Sequence, residues 1–201
     1  MKARLVVQGF TDARLGKIQT AAPTNSRRAR QLFLTTAASL SFQCYKGDVK
    51  CAFLQGDIQE VDEDVDPSET QTLKEDVFCE PTPELAAKLG LEHHQCVRLL
   101  KAVYGLVNAP RRWYQRVSKD FASLNGVENT TEPCIWTFRN ETGAIIGLVL
   151  LYVDDALSAC SSGSGGQTLL RDIKVLNDLC STLGKRFCFP SAPPVQGLDV
   201  L

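Results

Sequence analysis

A chain of 201 residues that is 44% hydrophobic and 22% charged, with a formal net charge of −1, has the composition of an ordinary soluble globular protein able to bury a core. No apolar run approaches the ~18 residues of a membrane span, and no basic-then-apolar signal opens the chain, so no membrane partner is expected and an intracellular setting is predicted, cytoplasmic or nuclear. The near-zero total hides a segregation: residues 1–56 carry nine Lys/Arg against Asp12 and Asp48, residues 57–84 carry eleven acids against Lys74 alone, and the stretch from Val97 to Lys119 holds six basic residues and no acid, so a polyanion can use two blocks and must avoid the third.

The opening MKARLVVQGF sets basic residues 2 and 4 ahead of an apolar stretch and predicts an exposed strand. Asn25 or Ser26 can cap a helix running to about Ser39, with Ala29, Leu32, Phe33, Thr36, Ala37 and Leu40 on one side. Arg27, Arg28 and Arg30 in its first turn oppose the helix dipole, which leaves phosphate contact or a plain solvated surface as their use. A strand from Phe42 to Val49 then turns into a short helix near Ala52, and Asp48 at its end is either a working carboxylate or a capping one. The acidic stretch 57–76 is predicted to be a mobile surface loop.

Asn108 can cap a second helix, Pro110 can sit in its first turn, and Asn125-Gly126 can end it. Trp113, Val117, Phe121 and Leu124 form one apolar stripe, while Arg112, Arg116 and Lys119 lie on another face, available to nucleic acid. Pro133 to Phe138 and Ala144 to Val153 read as a strand pair joined by Arg139 to Gly143. After SSGSGG, read as flexible, Leu169, Ile173, Leu176, Cys180 and Leu183 space a helix that stops at Gly184, and short strands are expected around Phe187 and Val195. Eight cysteines without a CxxC pair, and histidines only at 93 and 94, argue against a zinc finger or a disulfide framework and for buried free thiols. Asn129-Thr130-Thr131 and Asn140-Glu141-Thr142 match glycosylation acceptors, read as chance without an entry signal.

The chain is organised around IIGLVLLYVDDALSAC, from Ile145 to Cys160, an apolar strand that runs into Asp154 and Asp155. Burying an unpaired carboxylate is costly, so two at such a place call for compensation, most simply by divalent cations. The plainer reading is a hairpin turn whose carboxylates face water.

Four blocks in order, KARLV, DVKCAFL, AVYGLVNAP and YVDD, resemble the reverse transcriptases of copia-type LTR retrotransposons. VFCEPTPEL and QGLDV resemble further family segments more faintly. The resemblance implies an α+β fold: a reverse-transcriptase palm, an antiparallel sheet backed by helices, with truncated fingers and without a thumb. It implies a single domain over 1–201, with partial fingers at 1–41, a palm core at 42–160 that includes the acidic loop 57–76, and a C-terminal helix with short strands at 161–201. It implies RNA-directed DNA polymerisation by two-metal catalysis, with Asp48, Asp154 and Asp155 as catalytic residues and as ligands of two Mg2+ ions, Mn2+ being the alternative. Nucleotide contacts fall on Lys2, Arg4, Phe53, Tyr104, Gly105 and Tyr152, Phe53 lying beneath the incoming sugar and Gly105 admitting a base or sugar close to the backbone. Nucleic-acid contacts fall on Arg112, Arg116 and Lys119, and the partners implied are an RNA or DNA template with its primer and deoxynucleoside triphosphates. Gly47, Val107 and Asn108 depart from the family pattern, the last two removing a positive charge near the pocket. A catalytically silent relic, at most a nucleic-acid-binding module, stands as the second reading, and a metal-dependent phosphoesterase leaves the glycine-containing block unexplained.

Overall fold

The computed structural model describes residues 6–12, 15–49, 51–56, 77–92 and 94–179; the side chains of Asp48, Leu170 and residues 174–179 are outside that description. Lys2, Arg4, the acidic stretch 57–76 and everything expected beyond residue 179, including Cys180, Leu183, the stop at Gly184 and the strands near Phe187 and Val195, therefore lie outside the described residues.

Ser26 opens the first helix, α1 (Arg27–Ser39): its hydroxyl accepts from the Ala29 amide at 3.0 Å, which satisfies one of the amides a helix start leaves without a partner. Asn25, the other candidate cap, is buried instead, and its Nδ2 donates to the Leu151 carbonyl at 2.8 Å. The expected strand after α1 is β1 (Gln43–Asp48), followed by a 3-10 turn over Ala52–Gln55. A small two-stranded antiparallel sheet, β2 (Val77–Cys79) with β3 (Val97–Leu99), is separated by α2 (Pro83–Leu89). Thr82 caps α2, Pro83 fills its first turn and Gly90 ends it at φ 65, the usual division of labour between proline at a helix start and glycine at its end.

The long helix α3 (Ala109–Ser123) follows, then β4 (Gly126–Glu128), β5 (Ile135–Arg139), β6 (Ile145–Tyr152), β7 (Asp155–Cys160) and α4 (Ser164–Leu179). The main sheet is antiparallel, in the order β1-β7-β6-β5-β4. α4 begins within the stretch read as flexible: Gly166 is buried so close to Ser161 that a Cβ there would stand 2.3 Å from its carbonyl oxygen. Gly166 therefore stands in the first turn of the helix because the turn before it leaves no room for a side chain there.

Helices cover both faces of this sheet. On one, Trp113, Val117 and Phe121 of α3 and Leu169 and Ile173 of α4 pack with Trp136, Phe138, Val149, Leu151, Ala156 and Cys160. On the other, Ala29, Phe33 and Ala37 of α1 meet Ile135, Leu148, Leu150 and Ala159. β6 is thus buried on both sides, which is why it reads as a continuous apolar run rather than an alternating one. Burial also pushes the thiols of Cys134 and Cys160 up to about 12, so these two behave as small apolar core residues rather than nucleophiles. No helix among the described residues is long and apolar enough to cross a membrane.

Candidate functional site

β6 ends at Tyr152, Val153 and Asp154 make the turn, and β7 begins at Asp155, with Tyr152 and Asp155 as the closing pair. On the far side of β7, β1 runs antiparallel in unbroken register from Gln43 opposite Cys160 to Asp48 opposite Asp155. The Val49 amide then donates to the Asp154 carbonyl at 2.7 Å. Paired Cα atoms of an antiparallel ladder are about 4.5–5.5 Å apart, so the backbones of Asp48, Asp154 and Asp155 share one corner of the sheet although the chain between them forms most of the fold.

Asp154 and Asp155 are exposed. Lys46 places its Nζ 3.5 Å from Oδ1 of Asp155, both side chains being more than half exposed, which makes this a solvent-screened pair. Among the described residues no three His, Cys, Asp or Glu side chains gather as a metal centre. The donor chemistry nevertheless suits a hard cation, since exposed carboxylates are the ligands that Mg2+ and Mn2+ take.

The turn itself is strained. Val153 is β-branched and stands at φ 57, where such side chains are rare. The indole of Trp113, on the neighbouring α3, donates from Nε1 to the Val153 carbonyl at 2.6 Å.

Beside this corner lies the 3-10 turn, entered through Cys51 at φ 54. Phe53 is half-buried against Tyr104, ring centroids 5.0 Å apart and planes inclined at 53°. Ala102, Leu106 and Ala109 form the small core beneath them. Gly56 fits against α3 so tightly that a Cβ would lie 2.9 Å from that of Arg112.

Three expectations need correction here. Gly105, at φ 91, does permit a close approach, but what approaches is the protein itself: a Cβ there would be 1.9 Å from the Val7 carbonyl oxygen, and the Val7 amide donates to the Tyr104 carbonyl at 2.8 Å. The face of α3 expected to be open and basic is largely closed. Arg112 is 7% exposed because Gly56 packs over it, Arg116 is half-buried with Asp120 one helical turn away at 3.3 Å, and only Lys119 of the three is exposed. Asn108 precedes α3, yet its side chain makes no cap; it is buried, and its Oδ1 has no partner among the described residues.

Lys46 and the indole N–H of Trp113 are the contributors that sequence reasoning passed over. Trp113 was visible only as one member of an apolar stripe, and nothing in a helical spacing tells that an indole will reach a turn 40 residues later.

Compared with known proteins, residues 1–191 match a family model described as reverse transcriptase (RNA-dependent DNA polymerase). The chain is 33% identical over 157 residues to the retrovirus-related Pol polyprotein from transposon TNT 1-94 of Nicotiana tabacum, covering 78% of this chain and 10% of that protein. It is 29% identical over 157 residues to the Pol polyproteins from transposons RE1 and RE2 of Arabidopsis thaliana, again over 78% of this chain and 9% and 10% of theirs. The chain thus spans about a tenth of the length of these curated relatives. No solved structure matches it.

Proposed function

Because this chain belongs to the reverse transcriptase (RNA-dependent DNA polymerase) family, we propose that it carries the nucleotidyl-transfer site of a retrotransposon Pol polyprotein and extends a primer on an RNA or DNA template with deoxynucleoside triphosphates. The observation that carries this reading is the register that sets Asp48 opposite Asp155, with the Val49 amide bonded to the Asp154 carbonyl. Two strand ends from distant parts of the chain meet there, and each brings carboxylates.

Asp48, Asp154 and Asp155 would hold the two divalent ions, Mg2+ or Mn2+. Bound there, such ions lower the pKa of a primer 3′-hydroxyl and neutralise charge on a leaving pyrophosphate. The chain's own residues orient the reactants. The Phe53 and Tyr104 rings pack on each other beside the corner, and in this reading they form the wall against which a deoxyribose would lie and which would exclude a 2′-hydroxyl. Tyr152, about half exposed and on the same face as Asp155, is placed for contact with the primer end or the nucleotide. Lys2 and Arg4 are assigned to the triphosphate by family position, and Lys119, which is exposed, to a phosphate of the template strand. The architecture supports a palm spanning residues 42–160 into which α1 is integrated through its packing on β6.

Magnesium-dependent primer extension on an RNA template, beside Asp154→Asn, tests the proposal. The substitution keeps the backbone carbonyl that Val49 uses and removes one charge, and it should lower extension by at least about a hundredfold. Extension by Asp154→Asn equal to that of the parent chain contradicts the assignment. A second reading is a silent relic, and the observation on its side is the Lys46 ammonium beside Asp155, which a metal ion would have to displace. A folded parent chain that binds primer–template and adds no nucleotide supports that alternative.

A further inference from the structure

We infer that Trp113 is a positioning residue for the aspartate turn: its indole N–H fixes the Val153 carbonyl and so holds Asp154 and Asp155 in the conformation they present. The inference deepens the reading of that turn as the metal-holding corner and rests on it. Val153 has positive φ and Asp154 does not. In a hairpin turn with that sign pattern the first central position is one that glycine occupies without cost and a β-branched residue does not. A residue held there persists only because its surroundings impose the conformation.

Two groups from outside the hairpin do so. The Trp113 Nε1–H donates to the Val153 carbonyl at 2.6 Å, and the Val49 amide donates to the next carbonyl, that of Asp154, at 2.7 Å. The successive carbonyls of the turn are therefore clamped by α3 on one side and by the end of β1 on the other. Trp113 can act as a fixed point because it is 2% exposed and its backbone is pressed by Gly56, where a Cβ would lie 3.1 Å from the Trp113 nitrogen. Phenylalanine at 113 would fill much of the same volume but offers no donor, so it separates the hydrogen bond from the packing.

The test is a four-variant cycle of parent, Trp113→Phe, Val153→Gly and the double variant, followed by amide and indole NMR and by single-turnover primer extension. Trp113→Phe should shift or broaden the amide signals of Val153, Asp154 and Asp155. It should lower the extension rate about ten- to a hundredfold with the nucleotide KM within about threefold, because small misplacements of reacting groups act on the chemical step. With Val153→Gly, whose turn needs no tether, the same substitution should cost less than about threefold, a non-additivity that a pure packing role does not produce. Unmoved turn amides in Trp113→Phe, or an equal loss of rate in both backgrounds, overturns the inference. If no variant extends a primer, the polymerase reading fails while the amide signals still decide whether the tether exists.

Discussion

On the proposed function, Phe53 is the residue that would carry sugar selectivity without touching the chemistry. Its ring is half-buried and packs on that of Tyr104, which would oppose its displacement by a bulkier sugar. Truncation to alanine opens that wall. Phe53→Ala should narrow the preference for deoxy- over ribonucleotides by about ten- to a hundredfold, since a steric pocket discriminates by the group it cannot admit. Single-turnover incorporation of each nucleotide measures it, and an unchanged ratio would remove Phe53 from the site. At this scale the sequence was partly readable. Ser26 as a cap and the position of Asp154 and Asp155 after an apolar strand follow from local pattern alone. The burial of Arg112 and the uncapped Asn108 do not, because helical periodicity says which residues share a face and not what packs on it. Asn25 illustrates the same limit: two adjacent residues were equally good caps, and the choice was made by a carbonyl on β6 that lies far along the chain.

Elements meet in this molecule through glycines as much as through apolar side chains. Gly9 and Gly105 let two backbone segments touch: a Cβ on Gly9 would stand 2.0 Å from the Gly105 carbonyl oxygen, and one on Gly105 would stand 1.9 Å from that of Val7. The obstacle in each case is backbone, which cannot rotate aside, and Gly105 also has φ 91. Gly105→Ala should therefore destabilise the fold by about 1–3 kcal/mol, the cost of strained backbone, and should release the Val7 amide from the Tyr104 carbonyl. Hydrogen exchange at Val7 beside a urea titration reads both effects, and full protection of that amide in the variant contradicts the account. The sequence flagged Gly105 as a place of close approach and named a nucleotide as the thing approaching; the packing of residues 6–9 against it is a tertiary fact. Gly147 is similar, opening a hole on β6 into which Leu169 of α4 fits. By contrast β5 and β6, the strands with the strongest apolar patterns, were legible almost to their ends, whereas β7 was not read as a strand at all. The three-residue strands β2, β3 and β4 carry too few residues for any period to declare itself.

For the molecule as a whole, the antiparallel sheet does one thing of functional consequence: its order, β1 beside β7 beside β6, brings the end of β1 to the β6–β7 turn. That order follows from no single segment. The succession of four blocks pointed to a family, which the match over residues 1–191 bears out, and not to a strand order. The charge pattern supplies the strongest competing site, since residues 57–84 hold eleven acids and can draw divalent ions by charge alone. The most direct measurement is a titration of the chain with substoichiometric Mn2+, followed by paramagnetic broadening of its amide signals. Broadening should appear first at residues 47–49 and 153–156 and be lost from both in Asp154→Asn. Broadening that begins within the acidic stretch 57–76, with the two strand ends unaffected, would show that the carboxylates of Asp48, Asp154 and Asp155 do not form one site.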